Sequence, residues 1–398
     1  MGKGVAITGM GIISAIGDTV AANYDALINN RPGISDIENI ATIHKNVIKV
    51  GEIKKTNAEL EAILGLAPKN NWSRTAMIGA IAAQQALDNA GITNMNAHNT
   101  GLISATSVGG MDMTERFFYD YYESDENWRY IDAQDGGDST HKIAGYIGVK
   151  GLVTTISTAC SSAANAIMLG ARLIKAGKLD RVVVGGTDAL AKFTINGFKT
   201  LMILSDTYNT PFDNNRKGLN LGEAAAFLVL ESDEMVAKYN KKVLAYVSGY
   251  GNANDAYHQT ASSENGDGAT LAMEKAFKVS GLKRADIDYI NAHGTATPNN
   301  DLSEGRALLR IFGEKMPDFS STKPFTGHTL AAAAGVEAVY SVLALQNNIV
   351  FANLNFKTPM AEFNLIPQTE IRHKEINHVL SNSFGFGGNC STLLFSKS

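Results

Sequence analysis

Two segments far apart in the chain, "VAITGMG" at 5–11 and "AYVSGYG" at 245–251, carry the same pattern: a short β-branched strand running into a pair of glycines one residue apart. The echo continues, with "ALDNAGI" leading to a strand near residue 100 and "AFKVSGL" leading to one near residue 288. The helix after Cys160 likewise has a counterpart after His328. A chain that repeats its opening strand and the passage that follows predicts two similar halves rather than unrelated domains. They meet near residues 231–243, where "ESDEMVAKYNKK" is charged and helical, so we divide the chain into 1–235 and 236–398.

Within each half, β-branched runs such as "RVVVGG", "AAFLVLE" and "DYINAHGT" alternate with Ala-rich helical stretches. Strands separated by helices of this length indicate an α/β protein with buried sheets. At 398 residues, 44% of them hydrophobic and 19% charged, the chain has the composition of a globular protein with a large core. A net charge of −4 argues against a general nucleic-acid binder. Two cysteines are too few for a disulfide framework, and no Cys/His cluster has zinc-like spacing. The opening apolar run is too short for a signal peptide, and no segment holds about 18 uninterrupted apolar residues, so the expectation is a cytoplasmic protein with no membrane span.

Cys160 stands at the head of "SSAANAIMLG", a small-residue run that reads as a helix. The unpaired N–H groups of a helix N-terminus stabilise a thiolate, which would make Cys160 a prepared nucleophile. A buried structural cysteine, behaving as a small hydrophobe, fits the same stretch. Two of the eight histidines, His293 and His328, sit in glycine-flanked loops rather than on helical faces.

Around these residues the motifs "TACSS", "NAHGTATPNND", "STKPFTGH" and "NSFGFGG" follow one another in an order and spacing that resembles the β-ketoacyl-[acyl carrier protein] synthases of the thiolase-like superfamily. "TPFDNNRKGLNLGEAAAFLVLE" and "DAYHQTASSENGDG" extend the resemblance over essentially the whole chain. It implies a duplicated αβαβα layered fold with two mixed five-stranded sheets and helices in a central layer between them. It also implies an acyltransferase that condenses an enzyme-bound acyl group with malonyl-[acyl carrier protein], releasing carbon dioxide.

By the same resemblance Cys160 is the nucleophile, His293 and His328 complete the catalytic set, and Lys323 orients the site electrostatically with Glu304 as its acidic partner. The enolate left by decarboxylation needs hydrogen-bond donors aimed at its oxygen, which imidazole N–H groups supply. The backbone N–H groups of Cys160 and Phe386 are implied to hold the second oxyanion. Thr295 and Thr297 are placed along the phosphopantetheine arm, although their hydroxyls equally suit turn stabilisation. Val108 and Phe384 are placed beside the acyl group, and the small Val108 suggests room for a medium or long chain or a polyene. Asn291, Glu337, Asn382 and Ser383 match positions that hold a cation in some relatives. Nothing in the sequence selects a metal, so a polar network is the expectation, with no metal and no cofactor beyond the carrier's own arm. The implied partners are acyl carrier protein and a second subunit, in a homodimer or a heterodimer.

The chain departs from the pattern in three places. Asn389 and Cys390 follow the paired glycines where relatives carry Thr and Asn. The loop "ILSDTYNTPFD" lacks a basic residue for the carrier, for which Lys69, Arg74 and Lys199 are candidate replacements or ordinary surface charges. Residues 111–140 interleave aromatics with acids, suggesting a packed cap or a subunit contact. These departures leave open a fatty-acid or a polyene/polyketide pathway. Two other functions share the fold: a degradative thiolase, with Cys390 as second thiol, and one half of a ketosynthase/chain-length-factor pair.

Overall fold

The structure is a computed structural model and describes residues 4–119 and 121–398; Met1–Lys3 and Asp120 lie outside the described residues. In the first half, β1 (Val5–Ser14), β2 (Thr100–Ala105), β3 (Val153–Ile156), β4 (Arg181–Asp188) and β5 (Ala224–Glu231) lie side by side in the order β3-β2-β4-β5-β1. In the second, β6 (Ala245–Asn254), β7 (Tyr289–Asn291), β8 (Asp318–Ser320), β9 (His378–Gly385) and β10 (Asn389–Ser396) lie in the order β8-β7-β9-β10-β6. The two orders are identical strand for strand, and so are the directions. Three strands of each half run parallel, and the other two pair antiparallel beyond them. The repeat in the sequence is therefore a repeat in topology. The two five-stranded units also join edge to edge, because Val5, Ala6 and Ile7 pair antiparallel with Val247, Tyr246 and Ala245, a continuity that the sequence echoes do not reveal.

Helices fill three layers around these sheets. α1 (Arg74–Asn89) covers β1 and β5 from outside, while α2 (Ser162–Lys175) touches strands of both halves. α3 (Asp267–Ser280) covers β6 and β10, and α4 (Ala333–Asn347) packs on α2 and again on strands of both halves. Apolar on all sides, α4 is buried from Ala333 to Leu345, as a central helix must be. Residues Leu330–Asn347 are long and apolar enough by composition to cross a membrane, but here they are enclosed by protein.

The glycine pairs explain why the echo exists. A Cβ on Gly11 would sit 2.1 Å from the Ala82 carbonyl oxygen of α1, and one on Gly251 would sit 2.0 Å from the Ala272 carbonyl oxygen of α3. In both halves the first strand lies directly against the backbone of its outer helix, and only glycine allows that approach.

Residues 111–140 fold as a cap on the first half. Met113, Phe117, Tyr130 and Ala133 form a small core of their own, and the Glu115 carboxylate accepts from the N–H groups of Lys192 and Phe193. Phe118, Tyr121, Tyr122 and Trp128 pack ring on ring at its surface, with Tyr122 87% exposed.

Gly11→Ala is expected to cost about 3 kcal/mol, the upper part of the range for overpacking, because the obstacle is backbone. Gly145→Ala, in the helix Gly136–Ile147 with nothing within 4 Å of the added Cβ, should instead stabilise by about 0.5–1 kcal/mol. Denaturant unfolding of the two variants beside the parent chain checks both signs.

Candidate active site

Cys160 lies in the turn between β3 and α2. The chain reverses at Ala159, whose φ of +52° is in the left-handed region, and the serines of "TACSS" hold the turn. Ser161 Oγ donates to the Thr158 carbonyl at 2.8 Å, and Ser162 Oγ donates to the Ala159 carbonyl while accepting from the Thr158 N–H. The glycine loop after β9 presses on this turn. A Cβ on Gly385 would come within 3.0 Å of the Cys160 nitrogen and the Thr158 oxygen, so the loop reaches the nucleophile only because the residue is glycine. That contact brings the Phe386 N–H and the Cys160 N–H to the sulfur, where both favour the thiolate.

His293 follows β7 and His328 follows the short helix Lys323–Thr326. Buried carboxylates of the helix Pro298–Phe312 tie down the His293 loop. Glu304 accepts from the N–H groups of His293 and Gly294 at 2.9 and 2.8 Å, and Asp301 accepts from that of Ala296. Cys160 Sγ and one nitrogen of each imidazole lie within 4.8 Å of one another, and the two rings stand nearly perpendicular with centroids 5.4 Å apart.

The protons on these rings follow from their neighbours. The Leu330 N–H donates to His328 Nδ1 at 3.2 Å, so Nδ1 is an acceptor and the ring proton is on Nε2. Lys323 Nζ lies 3.2 Å from His293 Nδ1, which makes that nitrogen an acceptor too. The same ammonium also donates to the His293 carbonyl and to Glu337, and the Lys323–Glu337 pair is buried at both ends. The carboxylate in contact with Lys323 is thus Glu337 rather than the expected Glu304, whose oxygens are taken by the loop N–H groups and by Asn382 at 3.3 Å.

Burial sets the electrostatics. Desolvation, aided by the Lys323 ammonium, holds both histidines well below the ordinary imidazole value, so both are neutral donors. Desolvation likewise pushes Glu304 up to about 7. The Cys160 thiol is pushed up to about 12 by burial, against the opposing pull of Lys323 and of the Phe386 and Cys160 N–H groups. Burial of Cys160 therefore opposes the thiolate that a helix N-terminus favours, while Lys323 and the neighbouring N–H groups support it.

The cavity in front of Cys160 has a volume of about 280 Å³, and its wall includes His293, His328, Thr295, Thr297, Phe384 and Phe386. Lys323 and Glu304 are behind that wall. Val108 is not part of it. Val108 packs with Leu190, Ile195 and Leu219 in an apolar cluster that adjoins the cavity through Leu219 and Phe198, and its N–H donates to Asp188. Phe198, stacked on Phe386 at 5.9 Å, and the exposed Met202 stand in the wall where sequence reading had named nothing.

Asp188 was also missed. It accepts from Thr106, Ser107 and Val108 on one side and from the Ala331 N–H, three residues past His328, on the other. An acid ending the buried strand "RVVVGGTD" is the signal that could have found it. Among the four cation-position residues, Glu337 pairs with Lys323 and Ser383, and Asn382 with Glu304 and Thr392. Asn291, fully buried, has no protein partner for either amide atom among the described residues.

Cys390 faces Phe384 across β9 and β10 in the apolar core of the second half, away from the cavity, and burial pushes its thiol up to about 12. Lys69 and Lys199 are exposed. Arg74 is not a surface charge: its guanidinium is buried against Glu223 and two backbone carbonyls. That pair floors a larger cavity of about 510 Å³, which contains no nucleophile.

Alkylation of Cys160 by iodoacetamide in the free protein should keep accelerating from about pH 7 to beyond pH 9, with no plateau near the ordinary thiol value of about 8.5. Lys323→Met should slow it further at each pH, because the ammonium favours the thiolate. Peptide mapping after timed exposure reads the rate; a plateau below pH 8 contradicts the buried-thiol electrostatics.

Comparison with known proteins agrees with this geometry. The description of the β-ketoacyl synthase N-terminal domain matches residues 3–235, and that of the C-terminal domain matches residues 244–357. The chain is 32% identical over 409 residues to 3-oxoacyl-[acyl-carrier-protein] synthase 2 of Staphylococcus aureus, covering 99% of this chain and 98% of the relative. It is also 32% identical over 411 residues to the Vibrio cholerae protein of the same name, with 99% of each covered. Among solved structures, the ishigamide ketosynthase/chain length factor superposes with a TM-score of 0.93 at 26% identity, over 100% of this chain and 99% of that one. A ketosynthase of Xenorhabdus doucetiae, solved in complex with its chain length factor, does so with a TM-score of 0.87 at 30% identity, over 100% and 98%. A cysteine in a glycine-pressed turn, two neutral imidazoles facing it and a twice-built α/β unit are thus accompanied by similarity along the full length, and the chain belongs to the β-ketoacyl synthase family.

Proposed function

We propose that the protein catalyses decarboxylative Claisen condensation, joining an acyl group held on Cys160 to a malonyl group on acyl carrier protein to give the 3-oxoacyl carrier. The observation that carries this reading is the pair of donor sets around one sulfur: the backbone N–H groups of Cys160 and Phe386 on one side, and two neutral imidazoles with their Nδ1 atoms fixed as acceptors on the other. In this reading, residues 1–235 supply the nucleophile and residues 236–398 the two histidines.

Cys160 sulfur attacks the thioester carbonyl of the incoming acyl carrier, and the two backbone N–H groups hold the tetrahedral oxyanion. The carrier thiol leaves with the proton that Cys160 gives up. The malonyl thioester then enters past Thr295 and Thr297, whose hydroxyls are 2.9 Å apart at the cavity wall and suit an amide-bearing arm. Its carbon–carboxylate bond breaks, carbon dioxide departs, and the electron pair passes to an enolate whose oxygen accepts from His293 and His328 Nε2–H. The enolate carbon attacks the acyl-enzyme carbonyl, and collapse of that intermediate returns Cys160. The site's own groups supply every donor in this sequence, and the acyl groups arrive on the carrier's phosphopantetheine.

The position of Cys390 removes the feature that favoured a thiolase, since its sulfur does not reach the cavity. Retention of Cys160 and both histidines favours a catalytic subunit over a chain-length partner. A pairing with a related subunit is supported by the ketosynthase/chain length factor neighbours, and a fatty-acid or a polyene/polyketide product fits the same chemistry.

Cys160→Ala should gain no acyl mass from acyl carrier protein, while decarboxylation of malonyl carrier, which uses the histidines, persists. Acyl loading of that variant in intact-protein mass spectra would remove Cys160 from the mechanism. His293→Ala and His328→Ala should each slow carbon dioxide release by about 10²–10³-fold, the scale of one lost oxyanion donor. Rates near those of the parent enzyme would return both residues to a structural role.

A further inference from the structure

A cysteine sulfur and two imidazole nitrogens within 4.8 Å of one another form a soft-metal donor set in the wall of the cavity. We propose that this site is built to exclude zinc-like ions, and that Lys323 is the removable part of the exclusion.

A histidine that binds a metal through one nitrogen almost always donates its other ring N–H to a carboxylate, carbonyl or water. Here the outer groups are the wrong kind. His328 Nδ1 meets the Leu330 N–H at 3.2 Å and His293 Nδ1 meets the Lys323 ammonium at 3.2 Å, both donors. If a metal took Nε2, the ring proton would have to move to Nδ1 and point at an N–H. If it took Nδ1, it would displace a buried donor. The Lys323 ammonium has no freedom to turn away, because its other two protons go to the His293 carbonyl and to Glu337. It also sets a positive charge beside the space a dication would fill. Acceptors lie close by but are committed elsewhere: the Asn220 carbonyl accepts from the His328 backbone N–H, and Glu304 accepts from those of His293 and Gly294. The inference concerns metal affinity and stands or falls independently of the condensation reaction.

The test is titration of the whole protein with Co²⁺ as the probe ion, reading the near-ultraviolet thiolate-to-cobalt absorption and the protection of Cys160 from iodoacetamide. The parent chain is expected to show neither. Lys323→Gln, whose amide oxygen can accept from His293 Nδ1–H and whose amide group can still reach Glu337, should show both, with a gain in affinity of roughly 10–100-fold. Lys323→Met, which removes the donor without adding an acceptor, should gain less, and it serves as the second variant if Lys323→Gln does not fold. Glu337→Gln, which leaves the lysine donor in place, should remain silent. Cys160→Ser in the Lys323→Gln background should erase the absorption. Cobalt–thiolate absorption in the parent chain, or its absence from both folded Lys323 variants, overturns the proposal.

Discussion

The buried Lys323 ammonium is the interaction on which the site depends. It places its three protons on the His293 ring, the His293 carbonyl and Glu337, and both ends of the ion pair are buried. Burying an isolated charge is costly enough that the partners must be present and correctly placed. The pair therefore fixes the His293 loop to α4, which is buried from Ala333 to Leu345, and the geometry of the imidazole is inherited from the core. The same charge adds to desolvation in keeping both histidines neutral, so Lys323 acts on the site electrostatically as well as by position.

Asp188 performs the complementary task from the other half. As the last residue of β4, it gathers the backbone of Ser107 and Val108 on one side and that of Ala331 on the other. A single carboxylate thus ties the end of a first-half strand to the segment that follows His328 in the second half. Together with the glycine loop pressing Phe386 onto Cys160, this makes the site a product of the interface between the halves, with Cys160 from one and both imidazoles from the other.

Much of this was legible in the sequence. The glycine pairs at 9–11 and 249–251 announce a strand packed on a helix backbone, and their repetition announces the duplication. The serines flanking Cys160 and the glycines flanking His293, His328 and Phe386 mark loops whose conformations those residue types permit. Less legible were contacts that cross the fold. Glu337 lies within an apolar helical run, and its pairing with Lys323 in place of Glu304 depends on which way α4 is rotated. Arg74 looks like a surface charge at a helix start, yet its ion pair is with Glu223 from a distant part of the chain. Val108 donates its N–H to Asp188, a partner 80 residues away in the chain.

By itself the sequence determined the α/β character and the two similar halves, and it singled out Cys160, His293 and His328 as candidates, because strand and helix periodicity, glycine tolerance and chemical type are local properties of the chain. Only the tertiary structure decided the burial of Cys160, the hydrogen-bond partners of the two imidazoles, the partner of Lys323 and which side chains line the cavity. Each of these depends on desolvation and on donors and acceptors contributed from remote segments, and neither quantity exists until the two halves are packed together.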